Sequence, residues 1–456
     1  MNREVIIGLD IGTSSLKMTI ADFESGEIIN NRRNGYSMNE IRPGVIPVSI
    51  YEDAVVRTIR SASERYLIKG MGISTQMYSF CEDTEEGRIV YQWNSLWDRR
   101  REKDEYLKAQ MKKSGCPLDT LFPAYKLSTV EDEKRISFVP YGLKEHIIDF
   151  LTGELVTDYS TASASGMFDI KNRKWNEGFI SSLGFSNCLT PRVLNHNRII
   201  GYVKEDITGQ VQDKTALVPA LGDGISASYA CSNLSKICGN LGTSMAVRTV
   251  SKKENEECRS LLWTFALDEE RYITGGISSN SCSVFHWADR LGIKSDKGIQ
   301  QTGDVMFFPW IHGERTPYWS SDIKGTFAGL GIDIDKSMME GAVLKSVAFT
   351  FAAIVEELER YIDYDDVLVL GGGGAHCKGL VEIISGVVPV KLGFLNEYDF
   401  LASYGAAMSA AEALGVELKN VLHYKEIFEP TNCFKNEYKK WSQTAKQLIK
   451  LYEHHL

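Results

Sequence analysis

Short apolar runs alternate along the chain with glycine-rich turns and with stretches of helical periodicity. Residues 366–370, DVLVL, are consistent with a buried strand, and four consecutive glycines follow it at 371–374. The next segment, AHCKGLVEIISGV, is typical of a helix with Leu380 and Ile384 on one face. A further strand, VPVKL, and an alanine-rich helix that Gly415 would end complete the pattern. This strand–helix–strand–helix order predicts an α/β sheet.

A second pattern, strand–turn–strand, occurs twice. Residues 5–22 read VIIGLDIGTSSLKMTIAD, and residues 236–250 read KICGNLGTSMAVRTV. In each copy a Gly-Thr-Ser triplet separates two strand-like stretches, which predicts a β-hairpin. The glycines of the two triplets lie 230 residues apart (242 − 12), about half the chain, which indicates two related halves. The triplets are Gly12-Thr13-Ser14 and Gly242-Thr243-Ser244.

The composition of these turns favours a phosphate ligand over simple turn geometry. Glycine allows the backbone to approach a ligand closely, and the hydroxyl and N–H groups can donate to phosphate oxygens. Asp10 stands two residues before the first triplet, whereas Asn240 holds the same place in the second copy. One carboxylate beside phosphates can hold Mg²⁺, directly or through water, while a second would add repulsion.

Two further glycine motifs bear on the chemistry. The four glycines at 371–374 favour a flat ligand packed against the backbone, because a turn needs only one or two. The chain has no G-x-x-x-x-G-K-[ST] motif, which excludes a P-loop.

Asp223 lies in a Gly-Asp-Gly turn after the strand-like ALVPAL. There it is either a base that takes the proton of an acceptor hydroxyl or the N-cap or Asx-turn of the next helix.

Composition narrows the class of protein. The 456 residues suit two or three domains, and 43% hydrophobic with 24% charged residues excludes disorder and coiled coil. A formal charge of −9 argues against a nucleic-acid partner. Neither a membrane-length apolar run nor a signal peptide is found, and the nine scattered cysteines suggest reduced thiols. We therefore expect a cytoplasmic protein with no membrane partner.

Ten short segments, in order along the chain, resemble the FGGY family of carbohydrate kinases. They are GLDIGTSSLK at 8–17, GISTQM at 72–77, WDRR at 97–100, FPAYKL at 122–127, LTGELVTDYSTAS at 151–163, GDG at 222–224, GTS at 242–244, HGERTPYW at 312–319, GGGGA at 371–375 and GAAMSAA at 405–411. The resemblance implies two ribonuclease-H-like α/β domains of the actin/Hsp70/sugar kinase fold, on either side of a deep cleft that binds ATP and Mg²⁺.

The resemblance also assigns roles to single residues. It implies that Asp223 is the general base and that Asp10 holds magnesium through water. It implies that ATP phosphates meet both hairpins, at Gly12, Thr13, Ser14, Gly242 and Thr243, and that the nucleoside lies on Gly372 and Gly373. It places the sugar at Gln76, Met77, Asp98 and Arg99.

From these observations we expect three segments. Residues 1–221 would form the N-terminal, sugar-side domain, and residues 222–432 the C-terminal, nucleotide-side domain. Residues 433–456 read as a helix with one apolar face, which we expect to pack back on the N-terminal domain.

The function expected is ATP-dependent phosphorylation of a hydroxyl of a small sugar or polyol. GISTQM and FPAYKL resemble xylulokinases, so a ketopentose such as xylulose ranks first, with ribulose, glycerol and gluconate as alternatives. Two departures from the family pattern, Tyr78 where xylulokinases have His and Cys282 in place of a glycine, leave the acceptor open. The rival functions are a conformational ATPase of the same fold and a sugar-binding regulator without catalysis. A homodimer is also left open.

Overall fold

The computed structural model describes residues 3–36, 40–95, 97–130, 138–210, 214–252, 261–294, 302–419 and 421–455. The strands are β1 Arg3–Ile11, β2 Ser15–Asp22, β3 Ile28–Gly35, β4 Val45–Pro47, β5 Tyr66–Thr75, β6 Phe80–Thr84, β7 Gly87–Tyr91, β8 Val156–Asp158, β9 Phe168–Asp169, β10 Lys174–Trp175, β11 Arg192–Leu194, β12 Gly201–Tyr202, β13 Ala216–Val218, β14 Ile237–Leu241, β15 Met245–Ser251, β16 Trp263–Ala266, β17 Tyr272–Ser278, β18 Met306–Phe308, β19 Thr326–Ala328, β20 Val367–Gly371, β21 Lys391–Leu395 and β22 Tyr424–Phe428.

The helices complete the set of elements. They are α1 Val48–Ser63, α2 Glu105–Lys113, α3 Pro123–Leu127, α4 Leu143–Thr152, α5 Tyr159–Ala164, α6 Glu177–Ser182, α7 Glu205–Thr208, α8 Asp223–Ala230, α9 Cys282–Arg290, α10 Lys336–Leu358, α11 Lys378–Ser385, α12 Leu401–Ala413 and α13 Lys435–His455. Short 3₁₀ turns cover Glu359–Tyr361, Gly373–His376 and Tyr398–Phe400.

Two mixed sheets carry the same strand pattern. The first sheet has the order β12-β13-β5-β1-β2-β3, and the second has the order β16-β17-β15-β14-β20-β21-β22. In each sheet an antiparallel hairpin, β1/β2 or β14/β15, is followed by parallel strands, β5 and β13 or β20 and β21. The structure thus confirms both predicted hairpins and the division into two related halves, each built on one sheet.

Both hairpins belong to the interior because their strands are apolar on both faces. In β1 every residue from Val5 to Ile11 is buried, including Asp10 at the end of the strand. A strand buried on both faces needs covering elements above and below. Helix α12 covers one face of the first sheet, and α10 covers one face of the second.

Helix α12 crosses from the second half to pack on the first sheet, and glycines make the approach possible. A Cβ at position 8 would lie 2.0 Å from the Ser403 carbonyl oxygen, and a Cβ at position 72 would lie 2.0 Å from the Ala406 carbonyl oxygen. Cβ atoms do not come this close to backbone, so only glycine fits at either strand position. The sequence therefore places backbone directly against backbone at this junction.

The same helix packs against α8, which begins at Asp223. A Cβ at position 405 would lie 2.1 Å from the Ser226 carbonyl oxygen, so Gly405 is also required by contact. The Ser226 hydroxyl donates to the Ala402 carbonyl at 2.8 Å. Because α12 touches both the first sheet and α8, it fixes the position of Asp223 relative to the first hairpin.

The last helix does not pack where the sequence analysis placed it. Helix α13 lies on the C-terminal half, where Trp441 Nε1 donates to the Phe307 carbonyl at 2.8 Å and Glu437 pairs with Lys345 at 2.5 Å. The expectation that residues 433–456 return to the N-terminal domain is therefore wrong. Their periodicity predicted one apolar face correctly, but that face meets α10 and β18. The element that crosses back is α12 instead.

Helix α10 is the one described helix that is long and apolar enough to cross a membrane. Its segment from Lys336 to Tyr361 has a mean hydropathy of 1.6 in its most apolar 18-residue window. Of that window 83% is buried inside the protein, between the second sheet, α11 and α13. The composition therefore reflects a core helix that is covered on nearly all sides.

We expect Gly72→Ala to lower stability by roughly 2 kcal/mol or more, because the added methyl group meets the Ala406 backbone, which cannot move away cheaply. Gly35→Ala is the matched control, since a Cβ at position 35 of β3 would meet nothing within 4 Å. Urea denaturation followed by circular dichroism measures the midpoint of unfolding for both variants. A wild-type midpoint in Gly72→Ala would contradict the close packing described above.

Candidate active site

The turns of the two hairpins present unpaired donors. Each turn has three residues, and each is closed by one backbone bond, from Gly12 N–H to the Ser15 carbonyl at 3.1 Å and from Gly242 N–H to the Ser244 carbonyl at 2.9 Å. Within the described chain no group bonds the side-chain hydroxyls of Thr13 or Thr243. Both turns are at least partly exposed, so these hydroxyls are accessible to a ligand.

Asp10, at the end of β1, is a buried carboxylate with an unsatisfied oxygen. One oxygen lies 3.7 Å from Lys17 Nζ, and the other has no hydrogen-bond partner among the described groups. Burial raises the pKa of Asp10 to about 6, although Lys17 opposes the shift and Asp223 adds to it. An unsatisfied carboxylate oxygen beside free hydroxyls fits Mg²⁺, which commonly takes one or two carboxylates together with water and phosphate oxygens.

The described residues contain no cluster of three or more His, Cys, Asp or Glu side chains of the kind that cages a metal. A magnesium ion at Asp10 would therefore take its other ligands from water and from a polyphosphate. Asn240, the counterpart of Asp10 in the second hairpin, adds no charge, as the sequence comparison of the two copies predicts.

Asp223 is the first residue of α8, and Gly222 occupies the N-cap position. Its carboxylate accepts the N–H of Gly224 at 2.7 Å and remains half-buried. Burial raises its pKa, while the Gly224 hydrogen bond and the nearby Arg248 charge oppose that shift. The alternative interpretation of Asp223 as the N-cap is therefore wrong, because Gly222 holds that position, while its roles as a base or in an Asx-turn stay predictions.

A buried ion pair holds the turn that leads to Asp223. Lys144 Nζ donates to Asp158 at 2.5 Å and to the Ala220 carbonyl at 3.2 Å, where Ala220 has the unusual φ of 45°. Burial would raise the pKa of Asp158, but the Lys144 ammonium outweighs it and holds that pKa low. Sequence reasoning missed Lys144, although Asp158 lies within the segment LTGELVTDYSTAS that it singled out.

Residues 76–78 lie beside the turn that carries Asp223. Gln76 is 1% exposed, and its Nε2 donates to Tyr51 Oη at 3.0 Å while its Oε1 has no partner among the described groups. Met77 fills the space above Gly222, since a Cβ at position 222 would lie 2.8 Å from the Met77 sulfur. The structure thus brings Met77 beside Asp223, with Gln76 buried behind it.

Tyr78 departs from the family pattern in conformation as well as identity. Its φ of 64° lies in the left-handed region, which tyrosine rarely adopts, and its ring meets Phe122 edge-to-face at 5.4 Å. Its carbonyl accepts a hydrogen bond from the fully buried Lys126 at 3.2 Å. Burial lowers the pKa of Lys126 to about 7. The backbone strain at Tyr78 is thus held by a side chain of the FPAYKL segment.

Only one of the two predicted loop residues reaches the cleft. Arg99 borders an interdomain cavity of about 770 Å³ and pairs with Glu102 at 2.7 Å. Asp98 is exposed and turns away, accepting the N–H of Arg100 at 2.8 Å. The structure places Asp98 outside the residues that line the cavity, whereas Thr243 lines it from the second hairpin.

The segment HGERTPYW closes this cavity from the second half of the chain. Arg315 Nε lies 3.4 Å from Asp119, and Ser321 donates to Glu102 at 2.6 Å, so two polar contacts join the halves across the cleft. Glu314 beside them is buried, and burial raises its pKa to about 7 despite hydrogen bonds from Asn280 and the Arg315 N–H. Sequence reasoning recognised the motif but not these contacts.

The four glycines lie next to the second hairpin. Gly372 has a φ of 90°, and a Cβ there would lie 2.6 Å from the Leu241 carbonyl oxygen, so its position requires glycine. A Cβ on Gly373 would meet nothing within 4 Å, which shows open space against the backbone. The half-buried Cys282 lies beside Gly374 at the edge of this space. The arrangement leaves open space against the backbone of Gly373, beside the turn of the second hairpin.

We expect the effect of Glu314→Gln on stability to depend on pH. Between about pH 5 and pH 7 the folded protein keeps a proton on Glu314 that the unfolded chain has released, so the free energy of unfolding falls as the pH rises. The variant lacks this dependence. Urea unfolding should show that its stability relative to wild type rises by about 2 kcal/mol from pH 5 to pH 8. A constant difference would show that Glu314 ionises normally.

Comparison with known proteins agrees with this geometry. Residues 5–230 match the FGGY family of carbohydrate kinases, N-terminal domain, and residues 240–414 match the C-terminal domain of the same family. A gluconokinase of Bacillus subtilis (strain 168) is 25% identical over 81% of this chain and 80% of its own. A glycerol kinase of Thermococcus onnurineus (strain NA1) is 27% identical over 81% of this chain and 82% of its own.

Among solved structures, a ligand-bound xylulose kinase from Lactobacillus acidophilus has the same fold, with a TM-score of 0.86 over 99% of this chain and 100% of that one at 21% identity. The two matched domains together span most of the 456 residues, in the order in which the two sheets occur. The chain belongs to the FGGY family of carbohydrate kinases and has the two-domain fold that this family shares with actin and Hsp70.

Proposed function

We propose that this enzyme transfers the γ-phosphoryl group of ATP to a primary hydroxyl of a small sugar or polyol, with Asp223 as general base. The observation that carries the proposal is the position of the Asp223 carboxylate. It lies beside Met77 on the acceptor side, and close enough to Asp10 of the first hairpin to influence its pKa. A base between an acceptor site and a phosphate site is the arrangement that phosphoryl transfer needs.

In the proposed reaction the acceptor hydroxyl donates a hydrogen bond to the Asp223 carboxylate. As the hydroxyl oxygen bonds to the γ-phosphorus, the bond between that phosphorus and the β–γ bridging oxygen breaks, and ADP leaves. The hydroxyl proton passes to Asp223 and then to water. Burial raises the pKa of Asp223 and so makes it a stronger base than an exposed aspartate, while the Gly224 N–H and the Arg248 charge oppose that shift.

The two hairpin turns would hold the polyphosphate. Backbone N–H groups and the free hydroxyls of Thr13, Ser14 and Thr243 can donate to oxygens that gain charge in the transition state, with Gly12 and Gly242 allowing close approach. Asp10 would hold Mg²⁺, which neutralises phosphate charge when it is bound. Gly372 and Gly373 would receive the nucleoside on the open backbone surface described above.

Water must be kept from the γ-phosphoryl group if ATP is not to be hydrolysed. The contacts of Arg315 with Asp119 and of Ser321 with Glu102 join the two halves across the cavity. We propose that acceptor binding favours this closed arrangement, so that phosphoryl transfer outcompetes hydrolysis. A conformational ATPase of the same fold would instead release ADP at a rate that does not depend on an acceptor.

The proposal also includes the identity of the acceptor molecule. The segment GISTQM favours a ketopentose such as xylulose, and a xylulose kinase is among the similar structures. Similarity to enzymes named gluconokinase and glycerol kinase adds gluconate and glycerol to the panel, and ribulose stays in it as a second ketopentose. We also propose a cytoplasmic location. The eight described cysteines are free thiols, and Cys258 lies outside the described residues.

We expect Asp223→Asn to lower kcat for sugar phosphorylation at least about 100-fold, because the amide keeps the shape of the side chain but cannot take a proton. ATP binding should stay within about threefold of wild type. A coupled ADP-release assay measures turnover, and fluorescence titration with an ATP analogue measures binding. Asp206→Asn, in the short surface helix α7, is the control and should retain wild-type turnover. Full turnover in Asp223→Asn would overturn the assignment of the base.

A further inference from the structure

Arg248 is a cation beside the catalytic aspartate that the reaction as described uses only electrostatically. It lies on β15, in register with Gly275 on β17. A Cβ on Gly224 would lie 2.6 Å from the nearer guanidinium nitrogen, so the charged group packs directly against the backbone next to Asp223. Glycine at position 224 is what makes room for the guanidinium there.

This guanidinium has no partner of its own. Among the described residues no side chain or carbonyl hydrogen-bonds to Arg248, and no carboxylate oxygen lies within 4.0 Å of it. By contrast, Arg315, across the cleft, is paired with Asp119 and Ser279. Arg248 is only half-buried, so part of the side chain is open to solvent or ligand. A partly buried guanidinium without a hydrogen-bond or ion-pair partner is unusual unless a ligand supplies the acceptor.

The described polar groups around Arg248 include a single carboxylate, that of Asp223. Besides Asp223, the polar groups near enough to interact with its charge are the hydroxyls of Tyr78 and Tyr398 and the thiol of Cys238. On the neighbouring strand the ring of Trp263 covers Gly275, which gives this side an aromatic wall. Asp223 must stay free to take a proton, so it does not serve as the permanent partner of the arginine.

Arg248 does not belong to the turn of the second hairpin. It is three residues beyond Met245, the first residue of β15, which puts its Cα about 10 Å along the strand from that turn. Its guanidinium lies instead at the start of α8, on the acceptor side, where Met77 and Tyr78 lie close by. An acceptor that presents its hydroxyl to Asp223 can therefore reach Arg248 with another part of the same molecule.

We propose that Arg248 binds a carboxylate on the acceptor, so that the preferred substrate of this kinase is a sugar acid phosphorylated at the hydroxyl that reaches Asp223. The guanidinium matches a carboxylate with two parallel N–H···O bonds, which neither lysine nor a neutral donor reproduces. The inference rests on the proposed kinase function and deepens it. It ranks sugar acids ahead of the neutral ketopentoses that the sequence motifs favour.

The test compares two acceptors that differ in one group. D-gluconate and D-glucitol share a six-carbon polyhydroxylated chain, but C1 is a carboxylate in the first and a hydroxymethyl group in the second. The coupled ADP-release assay with Mg²⁺-ATP gives kcat and KM for each, with D-xylulose as a third acceptor. For the wild-type enzyme we expect kcat/KM for gluconate to exceed that for glucitol at least about 100-fold, because glucitol leaves the guanidinium unpaired.

Variants of Arg248 distinguish binding of the acceptor carboxylate from an indirect effect of the arginine charge on Asp223. We expect Arg248→Gln to reduce the gluconate-to-glucitol ratio of kcat/KM at least about 30-fold, chiefly through KM for gluconate, and Arg248→Lys to fall between it and wild type. Arg192→Gln, which changes an exposed arginine paired with Glu154, should keep the wild-type ratio. If Arg248→Gln does not fold, as judged by circular dichroism, Arg248→Lys carries the comparison.

Three outcomes would overturn the inference. The first is a wild-type enzyme that prefers glucitol or xylulose to gluconate. The second is an equal loss of kcat for all three acceptors in the Arg248 variants with a shift of the acidic limb of the pH profile, which would make Arg248 a positioning residue for Asp223 alone. The third is ADP release that no acceptor stimulates, which would overturn the proposed kinase function itself.

Discussion

The contact of α12 with the first sheet and with α8 determines how the rest of this enzyme is arranged. Glycines at positions 8, 72 and 405 let backbone approach backbone, and a methyl group at any of them would lie within 2.1 Å of a carbonyl oxygen. Close packing of this kind has little freedom to slide. Because α12 packs on both the first sheet and α8, it fixes α8 relative to that sheet. Asp223 begins α8 and Asp10 lies near the end of β1, so the two carboxylates come close enough to influence each other.

The charged groups of the site are buried or half-buried but lack a partner of opposite charge in close contact within the described chain. Asp10 has an unsatisfied oxygen, Arg248 has no ion-pair partner among the described residues, and Asp223 accepts one backbone N–H. A partly buried polar group without a hydrogen-bond or ion-pair partner lowers the stability of the folded protein. Such groups occur where a ligand supplies the partner. Complete pairs, such as Lys144 with Asp158, hold the backbone around them instead. An enzyme with a net charge of −9 can thus bind anions through local geometry.

Much of this could be predicted from the sequence, because local patterns determine local structure. The repeated hairpins, the four-glycine turn and the place of Asp223 follow from spacing and turn chemistry. The docking of α13 could not be predicted, since periodicity shows that a helix has an apolar face but not which surface covers it. The same limit applies to Asp98, whose neighbour Arg99 reaches the cavity while Asp98 turns away. Arg248 shows no local signal at all, because its isolation depends on what three strands and a helix place around it.

In the proposed complex one acceptor molecule contacts both Asp223 and Arg248. A crystal structure of the enzyme with Mg²⁺, a non-hydrolysable ATP analogue and D-gluconate tests it most directly. We expect a terminal hydroxyl oxygen about 2.6–3.2 Å from the Asp223 carboxylate, facing the γ-phosphate, and the C1 carboxylate on the Arg248 guanidinium. Gluconate bound with its hydroxyls out of reach of Asp223, or with its carboxylate in solvent away from Arg248, would contradict it.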